Sequence, residues 1–120
     1  MALTETVRRN DDAQYPDLVK QRYIPINLGA GTYELVAAVA NKQIQIVSFK
    51  FAVNVAGTYN LQSGVDVLFP FPMTSSGGVF RDGSDLDLPL FCSNIGGNMQ
   101  IVTTAAPTAG GVYLQWREKD

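Results

Sequence analysis

The densest cluster of chemically active side chains in this 120-residue sequence is a group of three aspartates. Asp82, Asp85 and Asp87 lie within the segment RDGSDLD, and the last two would share one face of a strand because alternate residues do. Paired carboxylates could act as the acid and base of a glycosidase, or their oxygens could bind Ca²⁺. The spacing differs from that of an EF-hand loop, however, and Asp82-Gly83 is a typical turn dipeptide. A solvated turn is the favoured interpretation, and the three aspartates are weak candidates for a metal site.

The other residue types that enzymes use are scarce. The sequence has no histidine, which removes the most common general base and zinc ligand. Cys92 is the single cysteine, so neither an intrachain disulfide nor a cysteine metal cluster can form. Without a histidine to activate it, we expect Cys92 to be a small buried hydrophobic residue. Gly77-Gly78 and Gly96-Gly97 lack the lysine that follows a phosphate-binding loop. We therefore predict a protein that is not an enzyme and that needs no cofactor.

The overall composition argues against two further classes of protein. Charged residues make up 17% of the chain, below the ~25% of typical soluble domains, and the net charge is −2. A nucleic-acid-binding domain is normally basic, and Arg8-Arg9 is balanced by Asp11-Asp12. No apolar run approaches the ~18 residues of a membrane span, and the N-terminus lacks the apolar core of a secretory signal. We expect neither a nucleic acid nor a membrane as a partner.

The charges are concentrated at the two ends of the chain. Residues 1–22 contain eight of them and residues 117–120 contain four, which leaves eight for the 94 positions between. A surface rich in serine, threonine, asparagine and glutamine would explain this depletion. Burial against other subunits would explain it too, because interfaces are poor in charge at their centres. Closed symmetry is the common arrangement of such subunits, so we expect a homo-oligomer, either a dimer or a trimer.

Residues 1–22 are predicted to form an extended N-terminal arm. They show no strand or helix periodicity, and Tyr15-Pro16 disfavours helix because the residue before proline takes extended angles. Such a segment is disordered in an isolated protein, or is ordered on a partner within an assembly. In the second case, mixed charges and two apolar side chains would contact the partner. These predicted partner-binding residues are Arg8, Arg9, Asp11, Asp12, Tyr15 and Leu18.

Residues 23–120 are predicted to form an all-β sandwich, of the jelly-roll type, with about eight short antiparallel strands. Short alternating segments separated by glycine turns are typical of such folds. The extended run at 23–28 contains Pro25, which confines it to a sheet edge or a strand start. In the longest run, 42–55, the apolar positions change parity between Ile46 and Val47. This change predicts either a β-bulge or a bend from one sheet into the other near residues 46–48.

The alternation also predicts which side chains form the core. Fifteen large apolar residues on the inward face would suffice for one sandwich core. They are Ile44, Ile46, Phe49, Phe51, Val53, Tyr59, Leu61, Val67, Phe69, Leu86, Leu88, Leu90, Ile101, Leu114 and Trp116.

Five short motifs follow one another through this body. They are LVAAVANKQIQI at 35–46, YNLQSG at 59–64, FPF at 69–71, GSDLDL at 83–88 and GGVYL at 110–114. Their succession resembles that of small jelly-roll virion proteins of tailed bacteriophages, such as capsid decoration or cement proteins. The similarity covers roughly residues 33–116. The sequence departs from the pattern at Asn41, where a glycine is usual, and in its longer charged arm.

The resemblance implies a structural role in a virus particle. A decoration protein is made in the host cytoplasm, binds the major capsid protein and stays on the outer surface of the capsid. The alternative is a receptor- or glycan-binding module of a phage fibre or other appendage, which exposed aromatic residues at 69–73 or at Phe80 would favour. A bacterial carbohydrate-binding domain is a third interpretation.

Overall fold

The computed structural model describes residues 19–75, 78–82 and 89–120, and of residues 79–82 only the backbone is described. These residues form nine β-strands and no helix, and so none of them belongs to a helix able to span a membrane. The strands are β1 (Lys20–Pro25), β2 (Gly31–Val36), β3 (Gln43–Val53), β4 (Gly57–Ser63), β5 (Asp66–Met73), β6 (Gly78–Asp82), β7 (Phe91–Cys92), β8 (Met99–Thr103) and β9 (Gly110–Lys119).

The strands form two antiparallel sheets. Sheet one has the order β1-β9-β3-β6, and the short β7 also pairs with β3. Sheet two has the order β2-β8-β4-β5. Residues of both sheets contribute to one buried apolar cluster, in which the ring of Phe49 from sheet one stacks on that of Phe71 from sheet two, with centroids 5.4 Å apart. The predicted all-β sandwich is therefore confirmed.

The longest strand, β3, contains the irregularity that its sequence predicts. Ile46 pairs with Trp116 and Ser48 pairs with Gln115, so Val47 is an additional residue that has no pairing partner on β9. The bulge shifts the alternation by one, which returns Phe49 to the core. All eleven residues of β3 remain in sheet one, so the strand uses the bulge and does not bend into the other sheet.

The described core contains most of the predicted inward residues. Leu90 is only partly buried, and Leu86 and Leu88 lie outside the described residues. The confirmed members are Ile44, Ile46, Phe49, Phe51, Val53, Tyr59, Leu61, Ile101, Leu114 and Trp116.

The prediction was wrong for two residues of β5. Val67 is more than half exposed and Phe69 is 40% exposed. For Val67, the cause of the exposure is a second bulge, since Leu61 pairs with Phe69 whereas the next residue, Gln62, pairs with Val67. Leu68 is the additional residue, so Val67 turns to the outer side with Gln62. Phe69 keeps its inward direction but lies on an edge strand, where one side is open to solvent.

The first strand closes one edge of sheet one. Pro25 is its last residue and the strand is an edge strand, as proline requires. The strand begins at Lys20, so the last three residues of the predicted arm pair with β9. Arg22 also links the two sheets, because its Nη1 donates a hydrogen bond to the Leu35 carbonyl of β2 at 2.9 Å and its guanidinium lies 5.2 Å from the ring centroid of Trp116.

Candidate binding surfaces

The residues predicted to do chemistry or to bind a partner are mostly outside the described part of the chain. The backbone of Asp82 pairs with Ser48 in sheet one, whereas Asp85 and Asp87 are not described. Among the described residues, no three carboxylate or cysteine side chains lie close enough together to hold a metal ion. The arm residues that also lie outside are Arg8, Arg9, Asp11, Asp12, Tyr15 and Leu18.

Cys92 lies on β7, where it is half-buried and pairs with Gln45 of β3. Burial raises the pKa of its thiol, and the nearby Arg117 guanidinium lowers it by a smaller amount. The net effect keeps the sulfur protonated at neutral pH, and a protonated thiol is a poor nucleophile. The sequence predicts a small buried hydrophobic residue at this position, and Cys92 is partly buried.

Among the described residues, three complete loops that contain no charged residue lie at one end of the sandwich. These loops are residues 26–30, 54–56 and 104–109, and we call this surface the charge-free end. Backbone hydrogen bonds join the loops: the N–H of Gly29 donates to the Pro107 carbonyl at 3.0 Å, and the N–H of Asn54 donates to the Ala109 carbonyl at 3.1 Å. The side-chain Oδ1 of Asn54 also accepts from the N–H of Thr108. The charge-free end is therefore well ordered as well as uncharged.

Leu28 projects from the charge-free end and is 84% exposed. Its N–H donates a hydrogen bond to Tyr33 Oη at 2.8 Å, and the Tyr33 hydroxyl in turn donates to the Gly29 carbonyl at 2.6 Å. Tyr33 is itself buried, so the loop is held by a fixed side chain. An apolar side chain on a preordered loop can enter a pocket on a partner without a further loss of backbone entropy.

The opposite end of the sandwich also exposes apolar side chains. Val65 and Ile95 are largely exposed there, and the loops that carry them are joined because Asn94 Nδ2 donates to Asp66 Oδ2 at 2.7 Å. The N–H of Gly96 donates to the Lys42 carbonyl at 2.8 Å, which adds the β2–β3 loop to this surface. Lys42 forms an ion pair with Asp120 at 3.0 Å. This end therefore carries an ion pair and the hydrogen-bonded carboxylate of Asp66 beside its exposed apolar side chains.

A shallow trough of about 440 Å³ lies on the outer face of sheet one. Its floor is a row of small residues, in which Gly111 pairs with Ala52 and Ala52 pairs with Gly78. The next row is large, because Tyr23 pairs with Tyr113, and Tyr113 pairs with Lys50. Lys50 Nζ lies 5.5 Å from the ring centroid of Tyr113. This step from small to large residues shapes the trough.

These three surfaces could hardly be predicted from the sequence. Leu28, Val65 and Ile95 are single apolar residues in loops, and such residues are common on the surface of any domain. The trough depends on cross-strand registers between β1, β9, β3 and β6, which are far apart in the chain. The one available signal was the scarcity of charge between residues 23 and 116.

No protein-family model, curated protein or solved structure matches this chain.

Proposed function

We propose that the protein is a structural, non-enzymatic component of a bacteriophage particle, a decoration or cement protein on the outer surface of the capsid. The observation that carries this proposal is the charge-free end, with Leu28 exposed on an ordered loop. Exposed apolar groups on a surface that lacks charge are typical of protein–protein contact sites. The resemblance of the sequence motifs to phage virion proteins indicates the kind of assembly.

The arrangement of the sandwich suits a bridging role. The charge-free end and the end that carries Val65 and Ile95 lie at opposite poles of the strands, so one domain can contact two neighbouring capsid subunits. Each contact is small, but many copies on a closed shell act together, because the first contact of each copy raises the effective concentration for the second. Ordered loops reduce the entropy lost on binding.

We infer a jelly-roll winding from the order in which the strands enter the two sheets. Strands β1, β3, β6 and β9 lie in sheet one, whereas β2, β4, β5 and β8 lie in sheet two. The chain thus passes repeatedly from sheet to sheet, and only β4 and β5 are consecutive neighbours within one sheet. Two interleaved four-stranded sheets are the arrangement of jelly rolls in viral capsid domains. This winding supports the phage assignment without being specific to it.

The oligomer and the arm complete the proposal. A dimer or trimer on the particle would cover more of the charge-poor surface than a single copy can. Residues 1–22 would anchor the body to the major capsid protein, and their mixed charges would fix the register of the contact more than its affinity. Of this arm, the structure describes only the last residues, and Lys20 to Arg22 pair with β9 as part of the edge strand β1.

The alternative role as a receptor-binding module is less well supported. It requires exposed aromatic residues near one loop end, and Phe69 is partly exposed. Phe71 and Met73 are both buried, however, so residues 69–73 provide no exposed cluster, and the side chain of Phe80 lies outside the described part of the chain.

A charge placed on the charge-free end tests the proposal. Leu28→Asp should lower the occupancy of the protein on phage shells that lack it about tenfold or more, because an aspartate would be desolvated at the contact. The measurement is quantitative sedimentation of stripped shells with purified protein, together with a thermal melt to show that the variant folds.

The matched control is Thr32→Asp, which places the same charge on the outer face of sheet two. Thr32 is exposed and lies in a central row with Val102 and Asn60. This variant should bind shells as the original protein does. Equal occupancy for Leu28→Asp and Thr32→Asp would contradict a contact at the charge-free end.

A further inference from the structure

The trough on the outer face of sheet one is unrelated to the two ends of the sandwich. Its floor, Gly111, Ala52 and Gly78, carries no side chain larger than a methyl group. The ring of Tyr23 covers the Gly111 end of this floor, Tyr113 lies beside it, and the volume of about 440 Å³ falls within the range of small-ligand sites.

The ring of Tyr23 is held directly over the backbone of β9. A Cβ atom at Gly111 would lie only 2.2 Å from Tyr23 Oη and 2.4 Å from Cζ, so the ring occupies the space that a side chain would otherwise fill. The hydroxyl donates a long hydrogen bond, 3.4 Å, to the Gly110 carbonyl. Tyr23 is nevertheless 62% exposed. A preordered aromatic surface therefore faces solvent next to the trough.

The polar groups around this aromatic surface can take part in hydrogen bonds with a ligand. The Tyr113 hydroxyl donates to Gln21 Oε1 at 2.6 Å, which leaves its oxygen as an acceptor. The ammonium of Lys50 lies at the same rim, over the Tyr113 ring. Hydroxyl groups of a ligand could thus be bound at the rim while an apolar ring surface lies on Tyr23.

We propose that this trough binds a hexopyranose saccharide, with one sugar ring stacked on Tyr23. The C–H face of a pyranose is apolar and flat, as the exposed ring requires, and its hydroxyl edge matches the rim. A second copy of the chain fits less well, because two concave surfaces related by a two-fold axis cannot fill one another. The proposal is independent of shell binding, since it uses neither end of the sandwich.

Titration of the full-length protein with cellohexaose, chitohexaose and mannohexaose, each followed by backbone amide NMR shifts, tests the proposal. At least one of them should bind and shift the amides of β1 and β9 around Tyr23 and Gly111. Tyr23→Ala should weaken that binding about tenfold, because it removes the stacking surface.

A second variant separates loss of the ring from displacement of the ring. Gly111→Ala keeps Tyr23 but forces its ring away from the backbone, and it should weaken binding to a similar degree. Thr32→Ala, at an exposed site on sheet two, is the control and should leave the affinity unchanged. The spectra also report whether each variant is folded.

Three results would overturn the proposal. The first is the absence of binding by all three hexaoses up to about 10 mM. The second is binding that survives in both Tyr23→Ala and Gly111→Ala. The third is a loss of shell occupancy in Tyr23→Ala without saccharide binding by the original protein, which would make the trough a protein contact.

Discussion

At Leu28, one apolar side chain stands in water because a buried residue holds the backbone beneath it. Tyr33 accepts from the N–H of Leu28 and donates to the carbonyl of Gly29, so its single hydroxyl satisfies both backbone groups. The loop cannot fold inward to bury the leucine without breaking these bonds, and unpaired buried groups are costly. An exposed side chain is also held in place at Tyr23, because the ring occupies the space that a side chain at Gly111 would fill.

The thiol of Cys92 should make the stability of the protein depend on pH in the alkaline range. Burial raises its pKa in the folded state, so the unfolded chain releases this proton first. The stabilising contribution is complete below the ordinary thiol pKa of about 8.5 and is lost as pH rises through the higher folded value. Urea unfolding from pH 7.5 upward should show a decline in the free energy of unfolding.

The variant Cys92→Ala provides the control for this effect. The decline just above pH 8.5 should be smaller in the variant, while the raised pKa of Tyr59 contributes only at still higher pH. Identical pH dependence in the two proteins would show that Cys92 is not the group responsible.

At the scale of the strand, the two bulges show what a sequence pattern can and cannot reveal. The bulge in β3 was predictable because Ile44 and Ile46 differ in parity from Phe49. The bulge in β5 was not, because Val67, Phe69 and Phe71 continue one regular alternation and the additional residue, Leu68, is also apolar. Only the pairing with Gln62 reveals it. The outward position of Val67 therefore comes from tertiary contacts.

Two phenylalanines on β5 allow the burial of side chains along this edge strand to be tested. Phe71 is 2% exposed and contacts the rings of Phe49 and Phe51, so Phe71→Ala should lower the free energy of unfolding by about 3–5 kcal/mol. Phe69 is 40% exposed, and Phe69→Ala should cost about 1–2 kcal/mol. Urea denaturation of both variants gives the comparison. A larger loss for Phe69→Ala than for Phe71→Ala would contradict the burial of Phe71 in the core and the exposure of Phe69 at the sheet edge.

At the scale of the whole molecule, the described loops form an uncharged surface at one end of the strands and expose Val65 and Ile95 at the other. Charge scarcity in the sequence was consistent with burial against other subunits or with an uncharged polar surface, and it could not locate either end, because the loops of each end come from distant parts of the chain. The fold class was accessible from alternation and turns alone. The surface of the charge-free end could not be predicted in this way, since hydrogen bonds between distant loops, such as that from Gly29 to Pro107, define it. The proposed bridging role requires two separate contact surfaces, and the two ends of the sandwich could provide them.

The location of the protein on intact particles tests the proposed decoration role most directly. Phage particles purified from the producing culture are incubated with a gold-labelled antibody against the full-length chain and examined by electron microscopy. A decoration protein should give gold evenly over the capsid, with many grains on each head. Labelling restricted to the tail or to fibre tips, or no labelling of particles that are otherwise complete, would contradict a role on the shell.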